Sequence, residues 1–280
     1  MTIKITSDST CDLSKELVAK YNIGIIPLYV VKDGVSLKDG LEITPEDIFA
    51  FTDSTGKLCT TAAVSQYDYT ETFRPLSEQY DAVIHITISA DFSSCYQNAC
   101  AAAEEFPNVY VVDSRNLSTG HGHIVVEAAQ LAEQGLAPEE ICARLNDLTG
   151  RVEASFLLDR LDYMVKGGRC SSAAALGANL LRLKPCIEVI DGKMRVVKKY
   201  RGPYNKCIHD YVTERLTNRD DLRGDRIFIT HAAAEPDTVE TARAAIAECH
   251  PFDEVYETHA GCTVTSHCGP HTLGVLFIRK

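Results

Sequence analysis

Apolar positions in the first half of the chain fall into short runs rich in β-branched residues, separated by longer stretches with helical spacing. Ile3–Thr6, Ile23–Val31, Ala82–Ile88 and Val109–Val112 predict strands. Ser14–Tyr21, Pro45–Phe51, Tyr67–Gln79, Ser94–Glu105, residues 119–133 and Pro138–Leu148 predict helices. Strands that alternate with helices predict a mainly parallel sheet covered on both faces.

The second half has a different pattern. Val152–Leu158 reads as a strand, Leu161–Val165 as a short helix stopped by Gly167-Gly168, and Ser171–Leu181 as a helix. Cys186–Ile190 and Met194–Lys199, joined by Asp191-Gly192, predict a hairpin. Helices near Asn205–Leu216 and Thr238–Glu248 and strands Arg226–Thr230, Glu254–Thr258 and Gly274–Arg279 complete the chain. A hairpin among helices implies a mixed sheet, so the expectation is two α/β domains, residues 1–150 and 151–280, with the boundary near Thr149–Glu153. No internal repeat or low-complexity linker is legible.

Charge and length narrow the function classes. The chain has 280 residues, and 28 Lys+Arg against 39 Asp+Glu leave a net charge of −11. Such a surface repels phosphate backbones, which disfavours nucleic acid as a partner. No apolar run approaches the ~20 residues of a membrane span, and no apolar leader opens the chain, so the expected location is the cytoplasm, with at most transient membrane contact. The 11 cysteines are odd in number, lack any C-x-x-C pair and sit largely on apolar faces, as reduced thiols do.

Candidate chemistry gathers after the strands. Ser7-Asp8-Ser9-Thr10, Ser89 through Ser94, and Asp113-Ser114 each follow a predicted strand. Such residues cap helices, but three clusters at one sheet edge also suit a ligand at the carboxyl ends of parallel strands. Cys262, His267, Cys268 and His271 do not have the spacing of a zinc site, so no metal is expected. His121 and His123 flank Gly122 and read as packing residues; Gly120 and Gly122 do not form a dinucleotide fingerprint, so no cofactor is expected.

Five segments in order, ITSDSTCDLSKE, IIPLYV with KDGLEITPEDIF, VVDSRNLSTGHGHIVVEAA, LDYMVKGGRCSSAAALGANLLRLKPCIEVIDGK and THAGCTVTSHCGPHTLGVLF, resemble the DegV family of fatty-acid-binding proteins across almost the whole chain. The resemblance implies two α/β domains with an acyl chain buried within and its carboxylate between them. By motif, Thr61 in KLCTTAAVS, Ser93 in SADFSSCYQNA and His267 in TSHCGP match the family's carboxylate ligands. Ser94 and Arg169 are implied as supporting groups. Arg201 matches an arginine implied near the partner surface, and the implied partner is a fatty acid kinase. The pattern departs at Ala62, Ala63, Val64, Ser94, Cys95, Cys268 and His271, which leaves an anionic head group expected but with a weakened polar rim.

The residues themselves suit a carrier. A fatty acid needs a dry tunnel for its tail and full hydrogen bonding for its carboxylate. Thr61 and Ser93 can each donate one O–H, and a protonated His267 would add a charge-assisted bond. No general base, metal set or activated nucleophile is legible, so no catalytic residue is assigned. The rival is a phosphotransferase or hydrolase using Ser93 or His267 on a small phosphorylated substrate, for which a shallow polar basin would replace the tunnel. For Arg169, a second reading is closure of the helix that ends at its two glycines.

Overall fold

The computed structural model describes residues 1–175 and 183–280. The chain forms two α/β domains. The first contains a four-stranded parallel sheet in the order Gly24–Ile26, Ile3–Asp8, Ala82–Thr87, Val109–Asp113. Its central strand AVIHIT is buried at every position, which is why it reads as a continuous apolar run rather than an alternation. The flanking helices have local punctuation: Ser14 caps Lys15–Lys20, Thr44 and Asp47 form a capping box on Pro45–Thr55, and Ser65 caps Gln66–Gln79.

The second domain has a six-stranded mixed sheet in the order Lys193–Arg201, Leu183–Ile190, Val152–Leu157, Thr272–Arg279, Leu222–Ala232, Glu254–His259. All neighbours in it are antiparallel except the last pair. The predicted hairpin is present, and Asp191 and Gly192 both have positive φ (52° and 80°), the backbone that a two-residue turn of this twist needs. Of the predicted helix Ser171–Leu181, Ser171–Ala174 is helical and residues 176–182 lie outside the described residues.

Three local expectations are corrected. The run Ile23–Val31 is two strands: Pro27 breaks it, and Tyr29–Lys32 leaves the parallel sheet to pair with Val35–Lys38 and Thr60–Ala62 in a small antiparallel sheet. The predicted Ser94–Glu105 helix begins one residue later, at Cys95, and ends at Ala103. Cys262–Cys268, for which no helix was expected, is helical.

Between the sheets runs helix Ser118–Glu133, buried on nearly every face. His121 and His123 lie inside this packing, away from solvent. His123 Nδ1 accepts from Arg226 Nε at 3.3 Å, so its Nε2 donates to the Leu276 carbonyl at 2.9 Å. Gly122 permits the close approach of this helix to the turn after strand Ile3–Asp8, because a Cβ there would stand 2.7 Å from the Cys11 carbonyl oxygen. One apolar core, including Leu28, Phe92, Met164, Met194, Ala260 and Val264, draws on both domains.

Candidate functional site

An apolar cavity opens within that shared core. Leu28, Ile88, Phe92 and Leu117 wall it from the first domain; Phe156, Met164, Met194 and Leu276 wall it from the second. Its polar groups are few, as in sites that grip a mainly apolar ligand.

Thr61, Ser93, Arg169 and His267 all line this cavity. Thr61 lies on the short strand Thr60–Ala62, held opposite Val30. His267 lies near the end of helix Cys262–Cys268, 206 positions away, and its Nε2 shares a 2.8 Å hydrogen bond with Thr61 Oγ1. Ser93 precedes helix Cys95–Ala103; its hydroxyl accepts from the Cys95 N–H at 3.3 Å and donates to Cys95 Sγ at 3.1 Å. Cys95, a departure from the family pattern, thus holds the rotor of the hydroxyl beside it.

Ser94 and Arg201 have other places. Ser94 is exposed and does not line the cavity. Arg201 is exposed at the end of strand Lys193–Arg201. Arg169 borders the cavity, and its Nη1 donates at 2.8 Å to the Gly167 carbonyl at the end of helix Asp162–Gly167, as the helix-closing reading expects.

The charge state of His267 differs from the expected imidazolium. Burial, with the Arg169 charge as a second cause, lowers its pKa to about 4, so the ring is neutral at pH 7. Its Nδ1 is buried and has no hydrogen-bond partner among the described residues. A proton there would be an orphan donor, so the ring carries it on Nε2 and donates to Thr61 Oγ1. Thr61 is then free to donate its own O–H into the cavity. His267 orients the hydroxyl, and Thr61 lines the cavity.

A glycine sets the ring's position. A Cβ on Gly167 would lie 2.3 Å from His267 Nδ1. Gly167→Ala is expected to push the ring off Thr61 and to weaken ligand retention by roughly tenfold, the worth of one good hydrogen bond. Retention equal to the unsubstituted protein would show that the ring's position is not critical.

Two acidic side chains from the first domain anchor the helix that carries His267. Asp39 accepts from the N–H groups of Cys262 (2.8 Å) and Thr263 (3.1 Å), and Asp12 from that of Gly261 (2.9 Å). These are the otherwise orphaned donors of a helix start. Sequence reading passed over both residues, since their partners lie more than 200 positions away. Both stand in the family-like segments, Asp12 in ITSDSTCDLSKE and Asp39 in KDGLEITPEDIF, which carry no sign of this contact.

The Cys262, His267, Cys268, His271 spacing does not gather into a ligand set; Cys262 Sγ donates to the Ile43 carbonyl and Cys268 Sγ to that of Gly269. A different trio, His231, Glu257 and His259, brings one ligand atom each within 4.8 Å of one another. There Ala234 N–H donates to His231 Nδ1, which places the ring proton on Nε2 facing Glu257, and Arg243 occupies the other Glu257 oxygen. These groups satisfy one another, and His231 has no lone pair directed at a cation.

The geometry can now be set beside known proteins. The family model described as "Uncharacterised protein, DegV family" matches residues 2–280. A DegV domain-containing protein of Caldanaerobacter subterraneus subsp. tengcongensis is 30% identical over 99% of each chain. A Thermotoga maritima protein named fatty acid-binding protein is 31% identical over 98% of this chain and 96% of its own. The solved structure described as fatty acid binding of a DegV family protein from Thermus thermophilus superposes with a TM-score of 0.91 at 29% identity, covering 100% of both chains. A match that runs from residue 2 to the last, over both sheets and the cavity between them, leaves no part of the architecture outside it: the chain belongs to the DegV family.

Proposed function

We propose that the chain is a non-catalytic carrier that binds a long-chain fatty acid, with the carboxylate at Thr61, Ser93 and His267 and the tail in the cavity between the domains. The observation that carries this reading is the cavity itself: apolar walls from both sheets, with Thr61, Ser93 and the Thr61–His267 hydrogen bond at its lining. The fatty-acid-binding descriptions of the Thermotoga and Thermus proteins support it. In this reading residues 1–150 supply the hydroxyls, and residues 151–280 supply His267 and the rest of the tunnel.

The energetics fit a carrier. Each methylene removed from water is worth ~0.8 kcal/mol, and a bilayer offers about the same. A protein that competes with membrane must therefore cover the tail and satisfy the carboxylate, and a cavity walled by two domains does the first. The phosphotransferase or hydrolase reading needs a polar basin at Ser93, whereas Phe92, Met164 and Met194 line this one.

The finer reading is that the chain presents its bound acid to a fatty acid kinase, with exposed Arg201 on the docking face. Among the described residues no helix is long and apolar enough to cross a membrane. All eleven cysteines are unpaired, which suits a reducing cytoplasm. The purified protein, extracted with organic solvent, is expected to release a single long acyl chain per molecule by mass spectrometry. A protein that releases none, and takes up none after delipidation and reloading, would defeat the carrier reading. Acyl phosphate formed from that cargo by a fatty acid kinase and ATP tests the finer one.

A further inference from the structure

The polar side chains that line the cavity are almost all spoken for. Ser118 donates to Asp12 at 2.6 Å, Ser155 pairs with Tyr211 at 2.8 Å, Thr230 with Thr258 at 2.8 Å, and Thr272 donates to the Cys268 carbonyl at 2.9 Å. One hydroxyl among them differs. Thr263 is 5% exposed, lines the cavity, and its Oγ1 is buried with no hydrogen-bond partner among the described residues. Its neighbours on the same helix behave in the ordinary way, Thr265 and Ser266 returning their hydroxyls to the Ala260 and Cys262 carbonyls.

An unpartnered hydroxyl in a dry wall is costly, and a plain hydrocarbon tail cannot relieve it. Thr263 and His267 stand at positions i and i+4 of helix Cys262–Cys268, so they share a face about one turn, ~5.4 Å, apart. A ligand oxygen that meets Thr263 therefore lies close to the carboxylate, on one of the first carbons of the chain.

We propose that Thr263 is a further ligand-binding and specificity-determining residue, whose hydroxyl pairs with a hydroxyl or keto oxygen on the proximal carbons of an oxygenated acyl chain. The proposal rests on the fatty-acid reading above and names the class of fatty acid that the cavity favours. The Thr263 O–H donates to that oxygen, or its lone pair accepts from a ligand hydroxyl; no bond is made or broken.

The test is equilibrium binding of three probes, palmitic, β-hydroxypalmitic and ω-hydroxypalmitic acid, to the delipidated full chain. The unsubstituted protein is expected to hold β-hydroxypalmitic acid about tenfold more tightly than palmitic acid and to show no such preference for the ω-isomer. Thr263→Val, which keeps the shape and removes the hydroxyl, should bring the β-hydroxy to palmitic ratio to about unity. Thr263→Ser should retain the preference, with a thermal melt verifying that both variants fold. Palmitic acid bound without any β-hydroxy preference, or a preference that survives Thr263→Val, overturns the proposal and leaves the carrier reading standing. No binding of any of the three overturns both.

Discussion

A chain carrying Thr61→Val together with Ser93→Ala is expected to lose acyl retention by roughly a hundredfold, since hydrogen bonds to a charged group are each worth ~1.5–3 kcal/mol. The carboxylate is the part of a fatty acid that cannot enter a dry wall unpaired, and in the proposed site these two hydroxyls are donors to it. The single changes should differ. Thr61→Val also strips the partner from His267 Nε2, leaving a neutral ring with both nitrogens unsatisfied in a largely apolar wall. Ser93→Ala removes a hydroxyl whose present contacts are confined to Cys95 two positions on. Thr61→Val alone is therefore expected to cost more than Ser93→Ala alone, and Thr61→Ser little. Reloading with a fluorescent fatty acid and measuring its off-rate reads all four variants. Unchanged retention in the double variant would show that the head group lies elsewhere.

That ranking could not have been drawn from the sequence. The sequence does carry the alternating strands and helices of the first half, because the strand Ala82–Thr87 is buried on both faces and reads as an unbroken apolar run. It also carries the Asp191-Gly192 hairpin, because that turn demands two residues tolerant of positive φ. It hides the helix of His267. CTVTSHC is rich in β-branched residues, which favour strand over helix. What holds it helical at its start is Asp39 and Asp12, contributed from the other domain. Thr60–Ala62 is hidden for another reason: three residues are too few for a periodicity, and their partner strand is displaced by the break at Pro27. The family resemblance places Thr61, Ser93 and His267 in motifs, yet it does not say that His267 is neutral and bonded to Thr61. Burial and a contact across 206 positions decide that. Thr263 is harder still, since an unsatisfied hydroxyl has no sequence mark.

The buried histidines make acid the condition to which the fold is most sensitive. Burial lowers the pKa of His121 to about 4, of His123 to about 3 and of His267 to about 4, with the Arg226 charge adding at His123 and that of Arg169 at His267. Each is neutral in the folded chain and would titrate near 6.5 when unfolded. Between pH 6.5 and about 4 the unfolded state therefore binds three more protons at these sites, and stability falls as pH falls through that window. Asp12 opposes them: burial raises its carboxyl to about 8, so from about pH 4 to 8 the folded state binds one proton more there, and stability falls as pH rises. Three protons against one leave a net of two, a slope of ~2.7 kcal/mol per pH unit on the acid side. Across two units that equals ~5 kcal/mol, comparable with the whole stability of an ordinary domain. Above 6.5 the histidines no longer contribute and Asp12 alone gives a gentler decline of ~1.4 kcal/mol per unit toward pH 8. Urea midpoints measured from pH 4.5 to 8 are expected to peak near 6.5 and to drop about twice as steeply on the acid side as on the alkaline side. The Asp12→Asn variant keeps the acceptor for the Gly261 N–H while removing the titration. It should flatten the alkaline limb and steepen the acid one, because the Asp12 titration no longer offsets the three imidazoles. A flat profile from pH 5 to 7 in the unsubstituted chain would mean that these rings are hydrated and free to take up protons in the folded state.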